Sequence, residues 1–152
     1  MLEYIDITHF NTAKVTTISY MFYNCFRIKE LDLRNWNTEK LTGGGLTYTF
    51  YACYALKNIL GLKYIYTNNL TSLACTFYNC RSLEDLSDIS DWNTSKVTNF
   101  SSVFGYCYKI KHLNLSNWDI TKATTIQGMF NNCRNLEHII FPSGQTSTLS
   151  GS

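Results

Sequence analysis

The chain has 152 residues, enough for one domain with a sizeable buried core. Its 13 basic and 11 acidic residues leave a net charge of +2, and no Lys/Arg run forms the basic patch of a nucleic-acid binder. No apolar run approaches the roughly 18 residues that span a bilayer, and residues 1–10 lack the basic start and apolar block of a signal peptide.

Taken from the start, Leu2, Ile5, Ile7 and Phe10 carry a spacing that returns at Ile28, Leu31, Leu33 and Trp36. The first residues therefore read as the closing half of a coil. The first whole coil runs through Phe10, Val15-Thr16, Ile18, Phe22, Cys25, Ile28, Leu31 and Leu33. Within it, Tyr20 to Cys25 has the apolar spacing of one helical turn, Val15-Thr16 suits a short strand, and Leu31-Asp32-Leu33 alternates as a second strand does. The next coil repeats the pattern at Trp36, Leu41-Thr42, Leu46, Phe50, Cys53, Leu56, Ile59 and Leu62. It carries two extra residues at Gly43-Gly44-Gly45, read as a surface bulge, and one before Leu62. The third coil is Ile65, Leu70-Thr71, Leu73, Phe77, Cys80, Leu83, Leu86 and, again one residue late, Ile89. The fourth and fifth follow from Trp92 to Leu115 and from Trp118 to Phe141. Residues 143–152 read as a flexible polar tail, outside a single repeat domain of residues 1–142.

The Phe-x-x-Cys motif thus occurs five times, with cysteine spacings of 28, 27, 27 and 26. Apolar columns at one period indicate a β-rich solenoid of about five coils of 26–29 residues with short helical turns. Each coil alone cannot bury its apolar side, and its neighbours cover it. Residues 5–7, 31–33, 59–62, 86–89, 113–115 and 139–141 are predicted to form one parallel ladder, about 4.8 Å per step. The uncapped apolar start implies a longer array, or a partner subunit meeting the N-terminal end.

The stretches WNTSKVTNFSSVFGYCYKIKHLNLSNW (92–118) and FNTAKVTTISYMFYNCFRIKELDLRNW (10–36) resemble the BspA-like leucine-rich repeats of bacterial surface proteins. The resemblance covers about residues 2–141 and makes the solenoid a leucine-rich-repeat one. Coil three departs most, with Ile65 in place of Trp. The resemblance implies display at the cell surface or secretion, adhesion and protein contact. It brings no catalytic residue.

Five cysteines share one repeating position beside the Phe column, where a small apolar group belongs, so they are expected as free, buried thiols. Neighbouring Cβ vectors run parallel, which disfavours disulfides, and the spacing is not that of a zinc site. The sixth, Cys75, stands where the first coil has Tyr20 and is expected to be partly exposed. The threonines Thr16, Thr42, Thr71, Thr98 and Thr124 suggest a hydroxyl ladder. Asn-x-Ser/Thr sequons at Asn69, Asn93, Asn99 and Asn114 are explained by the Asn- and Thr-rich composition.

Two sets of side chains are candidates for function. On the strand face, Asp85, His112 and His138 fall on successive coils and could approach one ion or act as acid and base. No nucleophile, orienting partner or pocket accompanies them, so neither a metal, a cofactor nor an enzyme is expected. Beside the Phe-Cys positions, Tyr23, Tyr51 and Tyr78 share one column, and Phe26, Tyr54, Arg81, Tyr108 and Arg134 share another. Tyr and Arg are enriched where binding energy concentrates. The sequence therefore points to a non-catalytic module that binds a protein or glycan, with no nucleic acid and no membrane insertion. The alternative is a spacer segment of an envelope or viral-particle assembly.

Overall fold

The structure, a computed structural model, describes residues 2–143. Nearly all of the segment read as a flexible tail, residues 143–152, lies outside the described residues. Regular structure among them consists of four strands and two 3-10 helices: β1 (Glu30–Asp32), β2 (Asn58–Leu60), a 3-10 helix Leu62–Tyr64, another at Ser87–Asp91, β3 (His112–Asn114) and β4 (His138–Ile140). Strand β1 pairs in parallel with β2, placing Leu31 opposite Ile59. Strand β3 pairs in parallel with β4, placing Leu113 opposite Ile139.

The predicted single ladder is therefore two separate ribbons. Residues 5–7 form no strand, and the third coil's segment enters a 3-10 helix at Ser87. The extra residue in coils two and three is the physical reason. It cannot be fitted between two inward-facing side chains of a strand without breaking the alternation. It is taken up at Gly61, whose φ of 88° a side chain rarely adopts, and in the two 3-10 helices.

What runs through all five coils is a ladder of turns at the Phe-x-x-Cys segments. Alternate amides do different work there. In the first coil, Met21, Tyr23 and Cys25 donate to carbonyls three residues back, at Ile18, Tyr20 and Phe22. The amides between them, Tyr20, Phe22 and Asn24, donate across to Thr47, Thr49 and Tyr51 of the next coil. The pattern repeats with Phe50 to Thr76, Phe77 to Val103 and Phe104 to Met129. The predicted helical turn is absent, because a helix would keep every amide inside its own segment. The left-handed residues show how the backbone manages this. Tyr20 and Asn24, Tyr48 and Ala52, Cys75 and Asn79, Ser102 and Tyr106, Gly128 and Asn132 all have φ between 53° and 64°.

The Val-Thr segments form isolated parallel bridges rather than a continuous strand: Gly43 with Leu70, Ser72 with Asn99, Asn99 with Thr125. The glycine insertion is not a surface bulge, since Gly45 is buried and Gly43 carries a bridge. The core fills the space between turns and strands. Phe22, Phe50, Phe77 and Phe104 are at most 2% exposed, and their rings stack at 5.8, 5.5 and 6.0 Å. Trp36, Trp92 and Trp118 are buried too, each donating its indole N–H to a carbonyl one coil back: Ile7, Leu62 and Ile89. Those bonds let a large ring be buried with its one polar atom satisfied.

Candidate functional site

The turn ladder positions two rows of aromatic side chains on one face. Its left-handed residues reverse the chain every four positions, so side chains from equivalent positions register coil above coil. Tyr23, Tyr51 and Tyr78 stack with ring centroids 4.7 and 4.9 Å apart. Tyr106 closes this row edge-on to Tyr78 at 5.3 Å. The row can end this way because Gly105 stands at the next equivalent position. A Cβ there would lie 2.9 Å from the Tyr78 ring.

The second row alternates rings with guanidinium groups. Phe26 stacks on Tyr54 at 4.9 Å, Arg81 lies 4.3 Å from the Tyr54 ring centroid and 5.6 Å from Tyr108, and Arg134 lies 4.9 Å from Tyr108. A cation over a ring face within about 6 Å is attracted by the ring quadrupole, worth roughly 0.5–1 kcal/mol at exposed sites. Arg81 is further fixed by donating Nε–H to Asn79 Oδ1 at 2.8 Å. The side chains singled out from the sequence, Tyr23, Phe26, Tyr51, Tyr54, Tyr78, Arg81, Tyr108 and Arg134, thus stand in these two ordered rows.

A third row was missed. Tyr20 stacks on Tyr48 at 4.8 Å, and Tyr48 shares a hydrogen bond with Cys75. That bond pushes the Tyr48 phenol up to about 12. Tyr51 and Tyr78 are raised as well, mainly by burial. The signal was available: Tyr20 and Tyr48 stand five residues before their cysteines, as Cys75 does before Cys80.

On the strand face, His112 and His138 stack at 5.3 Å in the paired strands. Asp85 does not join them. Its carboxylate accepts from the amide and hydroxyl of Ser87, held by the 3-10 turn that interrupts the ladder. Among the described residues no group of three potential ligands is placed to hold a metal ion. A shallow groove of about 300 Å³ lies at this interruption, lined by Arg34, Lys63, Tyr64, Asp85 and Asp88 among others. Arg34 there makes a two-pronged bond to Asp32, which holds that carboxyl at about 2, Asp88 accepts from the backbone amide of Lys63, and the Lys63 ammonium lies 5.1 Å from the Tyr64 ring centroid.

The cysteine column performs a different task from the one anticipated. Four of its five thiols cap a backbone carbonyl of the coil before: Cys53 on Phe22, Cys80 on Phe50, Cys107 on Phe77 and Cys133 on Phe104, at 2.9–3.1 Å. All six thiols are free, and Cys53, Cys80 and Cys107 are buried. Burial pushes Cys53 up to about 12 and Cys80 and Cys107 well above the ordinary thiol range. Cys25 and Cys133, at the ends of the stack, are only half-buried, a departure from the reading of five buried thiols.

The threonine column is likewise not a hydroxyl-to-hydroxyl ladder. Thr98 and Thr124 donate to backbone carbonyls of Thr71 and Thr98. A second, unforeseen threonine column at Thr12, Thr38, Thr67 and Thr94 is buried. Thr94 both donates to the Asp119 carbonyl and accepts from its amide, tying one coil to the next. Three of the sequon asparagines serve turn chemistry: Asn93, Asn99 and Asn114 accept from the amides of Ser95, Ser101 and Ser116.

No helix among the described residues is long and apolar enough to cross a membrane. No curated protein matches the sequence. In structure the chain is similar to a leucine-rich repeat protein from Bacteroides ovatus, with 15% identity and a TM-score of 0.33, over 82% of this chain and 40% of that one. It thus spans well under half the length of that protein. The sequence matches, over residues 3–61 and 44–147, the family described as Mycoplasma protein of unknown function, DUF285, and the chain belongs to that family.

Proposed function

We propose that the chain is a leucine-rich-repeat solenoid, one domain over residues 1–142, that works as a non-catalytic interaction module. Its binding surface is the aromatic–arginine face rather than the strand face, and its partner is a protein or a glycan. Display at the cell surface or secretion belongs to the same proposal and rests on the BspA-like resemblance of the repeats. The observation that carries the reading is the interleaved row Phe26, Tyr54, Arg81, Tyr108 and Arg134. Those side chains are already ordered by one another, so little conformational entropy remains to be lost on binding. Tyr23, Arg81 and Arg134 are exposed beside half-buried rings, which suits a surface that offers rigid edges and hydroxyls to a partner.

The test is a screen of the intact chain against a glycan array and a panel of extracellular-matrix proteins. It is repeated with Tyr51→Ser/Arg81→Ala after melting curves confirm a folded variant. A ligand that the wild type holds and the double variant loses by at least tenfold supports the face, as expected for hot-spot residues. Ligands held equally by both proteins would overturn it.

A further inference from the structure

Charge is spread unevenly around each coil. The turn segments 20–28, 48–56, 75–83, 102–110 and 128–136 carry the aromatic–arginine face and contain none of the chain's 11 acidic residues. Their charged side chains are Arg27, Arg81, Lys109 and Arg134, all exposed. Arg27 and Lys109 reach out of these segments to Glu3 and Glu84, in exposed pairs that contribute little. Among the described residues no carboxylate lies within ion-pair distance of Arg81 or Arg134. Stacking decides which part of each ring a partner can meet. Tyr51 lies between Tyr23 and Tyr78, Tyr54 between Phe26 and Arg81, and Tyr108 between Arg81 and Arg134. The faces of these three rings are therefore taken. Their edges, which carry the positive end of the ring quadrupole, and their hydroxyls are what remains.

We infer that the ligand of this face is an anionic polysaccharide, a stiff glycan bearing carboxylates or sulfates. The inference rests on the proposed reading of the face as the binding surface and names the ligand's class. A guanidinium offers parallel N–H groups that match an oxyanion. Arg81 and Arg134 stand two coils apart on either side of Tyr108, about 10 Å at the ~4.8 Å step of stacked parallel segments. A chain with an anionic group on every second sugar has a comparable repeat, and the phenol edges between the arginines meet its hydroxyls. A nucleic-acid base needs an open ring face to stack on, and these faces are occupied. A neutral sugar loses the same contact and leaves both guanidinium groups unmatched. An extended acidic peptide places its same-face side chains about 6.7 Å apart, out of step with the arginines. Its backbone also finds no free edge, because the turn amides are spent within a coil or across to the next.

The probe is a short heparin oligosaccharide titrated into the intact chain by calorimetry near physiological salt. A maltooligosaccharide of equal length is the neutral control, and poly-glutamate of similar charge is the peptide control. Saturable binding of the heparin oligosaccharide alone is expected. Arg81→Gln/Arg134→Gln, shown to be folded by melting curves, should weaken it at least about tenfold, since two charge-assisted contacts are removed. Either single variant serves if the double one does not fold. Lys14→Gln/Lys40→Gln removes the same net charge away from the face and should leave the affinity unchanged. An equal loss in both double variants would overturn the inference, because net charge alone would then explain binding. So would the absence of heparin binding, undiminished binding to the folded arginine variants, or poly-glutamate held as tightly. If the face instead holds a neutral glycan or a protein, and Tyr51→Ser/Arg81→Ala abolishes that binding, the anionic ligand is wrong while the binding surface stands.

Discussion

The side chains of the turn segment show most directly how a residue's place in the repeat sets its role. Phe77 lies between Phe50 and Phe104 in a column without solvent, and its ring also faces Trp92 at 6.0 Å. Phe77→Ala should cost about 3–5 kcal/mol, because stacked rigid rings on both sides cannot collapse into the space left behind. Urea denaturation measures it, and a loss under about 1 kcal/mol would mean the column does not bear the core. Asn24 offers a cleaner test of backbone conformation, since it is exposed and holds a φ of 60°. Asn24→Gly should be close to neutral, while Asn24→Val should lose about 1–2 kcal/mol through left-handed strain. Equal stability of the two variants would remove the argument from φ. The Phe and Cys columns were legible in the sequence because each is one residue type at one spacing. The carbonyl-capping role of the thiols was not, since a buried cysteine looks the same whether its sulfur meets carbon or oxygen. The Thr12, Thr38, Thr67 and Thr94 column was hidden because threonine is mostly an exposed residue, and nothing in its spacing shows that this column is buried.

Among elements, the leucine strands were the expected spine and the turns the expected helix, and the structure reverses their importance. Period-2 alternation at Leu31-Asp32-Leu33 and Leu113-Asn114-Leu115 correctly located strands. It could not show that one extra residue near Ser87 would split the ladder. The turn segment misled for a definite reason. Apolar residues at Met21, Phe22 and Cys25 match helical spacing, yet the same spacing arises from successive i to i+3 turns. Amide hydrogen exchange separates the two pictures. The amides of Phe50 and Phe77, in a ladder covered on both sides, should outlast those of Leu33 and Leu115 in the two-stranded ribbons. Slower exchange at the ribbon amides would return the leading role to the strands.

For the molecule as a whole, the buried thiols link stability to pH. Burial raises Cys53 to about 12, and it raises Cys80 and Cys107 well above the ordinary thiol range. Below pH 9 both folded and unfolded chains keep these protons, so the stability is intact. Above it the unfolded chain releases them first, and stability falls by about 1.4 kcal/mol per pH unit for each such thiol until the folded value is reached. Tyr48, Tyr51 and Tyr78 add to the fall only above pH 10. Cys80→Ala/Cys107→Ala should therefore flatten the descent between pH 9 and 10 in thermal melts, and an unchanged slope there would discount the thiols. The extra residue that ends the second coil's strand bears on something different, the order in which the chain assembles. Five coils with interchangeable hydrogen-bond patterns could pair one coil out of step and still satisfy nearly every backbone group. Such slipped states would sit close to the native one in energy and trap the folding chain. Gly61 removes the degeneracy. A Cβ at this position would lie 2.9 Å from the backbone of Arg34, so only a glycine can face the first coil's strand end. The equivalent site in a slipped pairing presents a side chain and is sterically refused. The irregular coil is thus the tooth that lets an otherwise repetitive chain close in a single register.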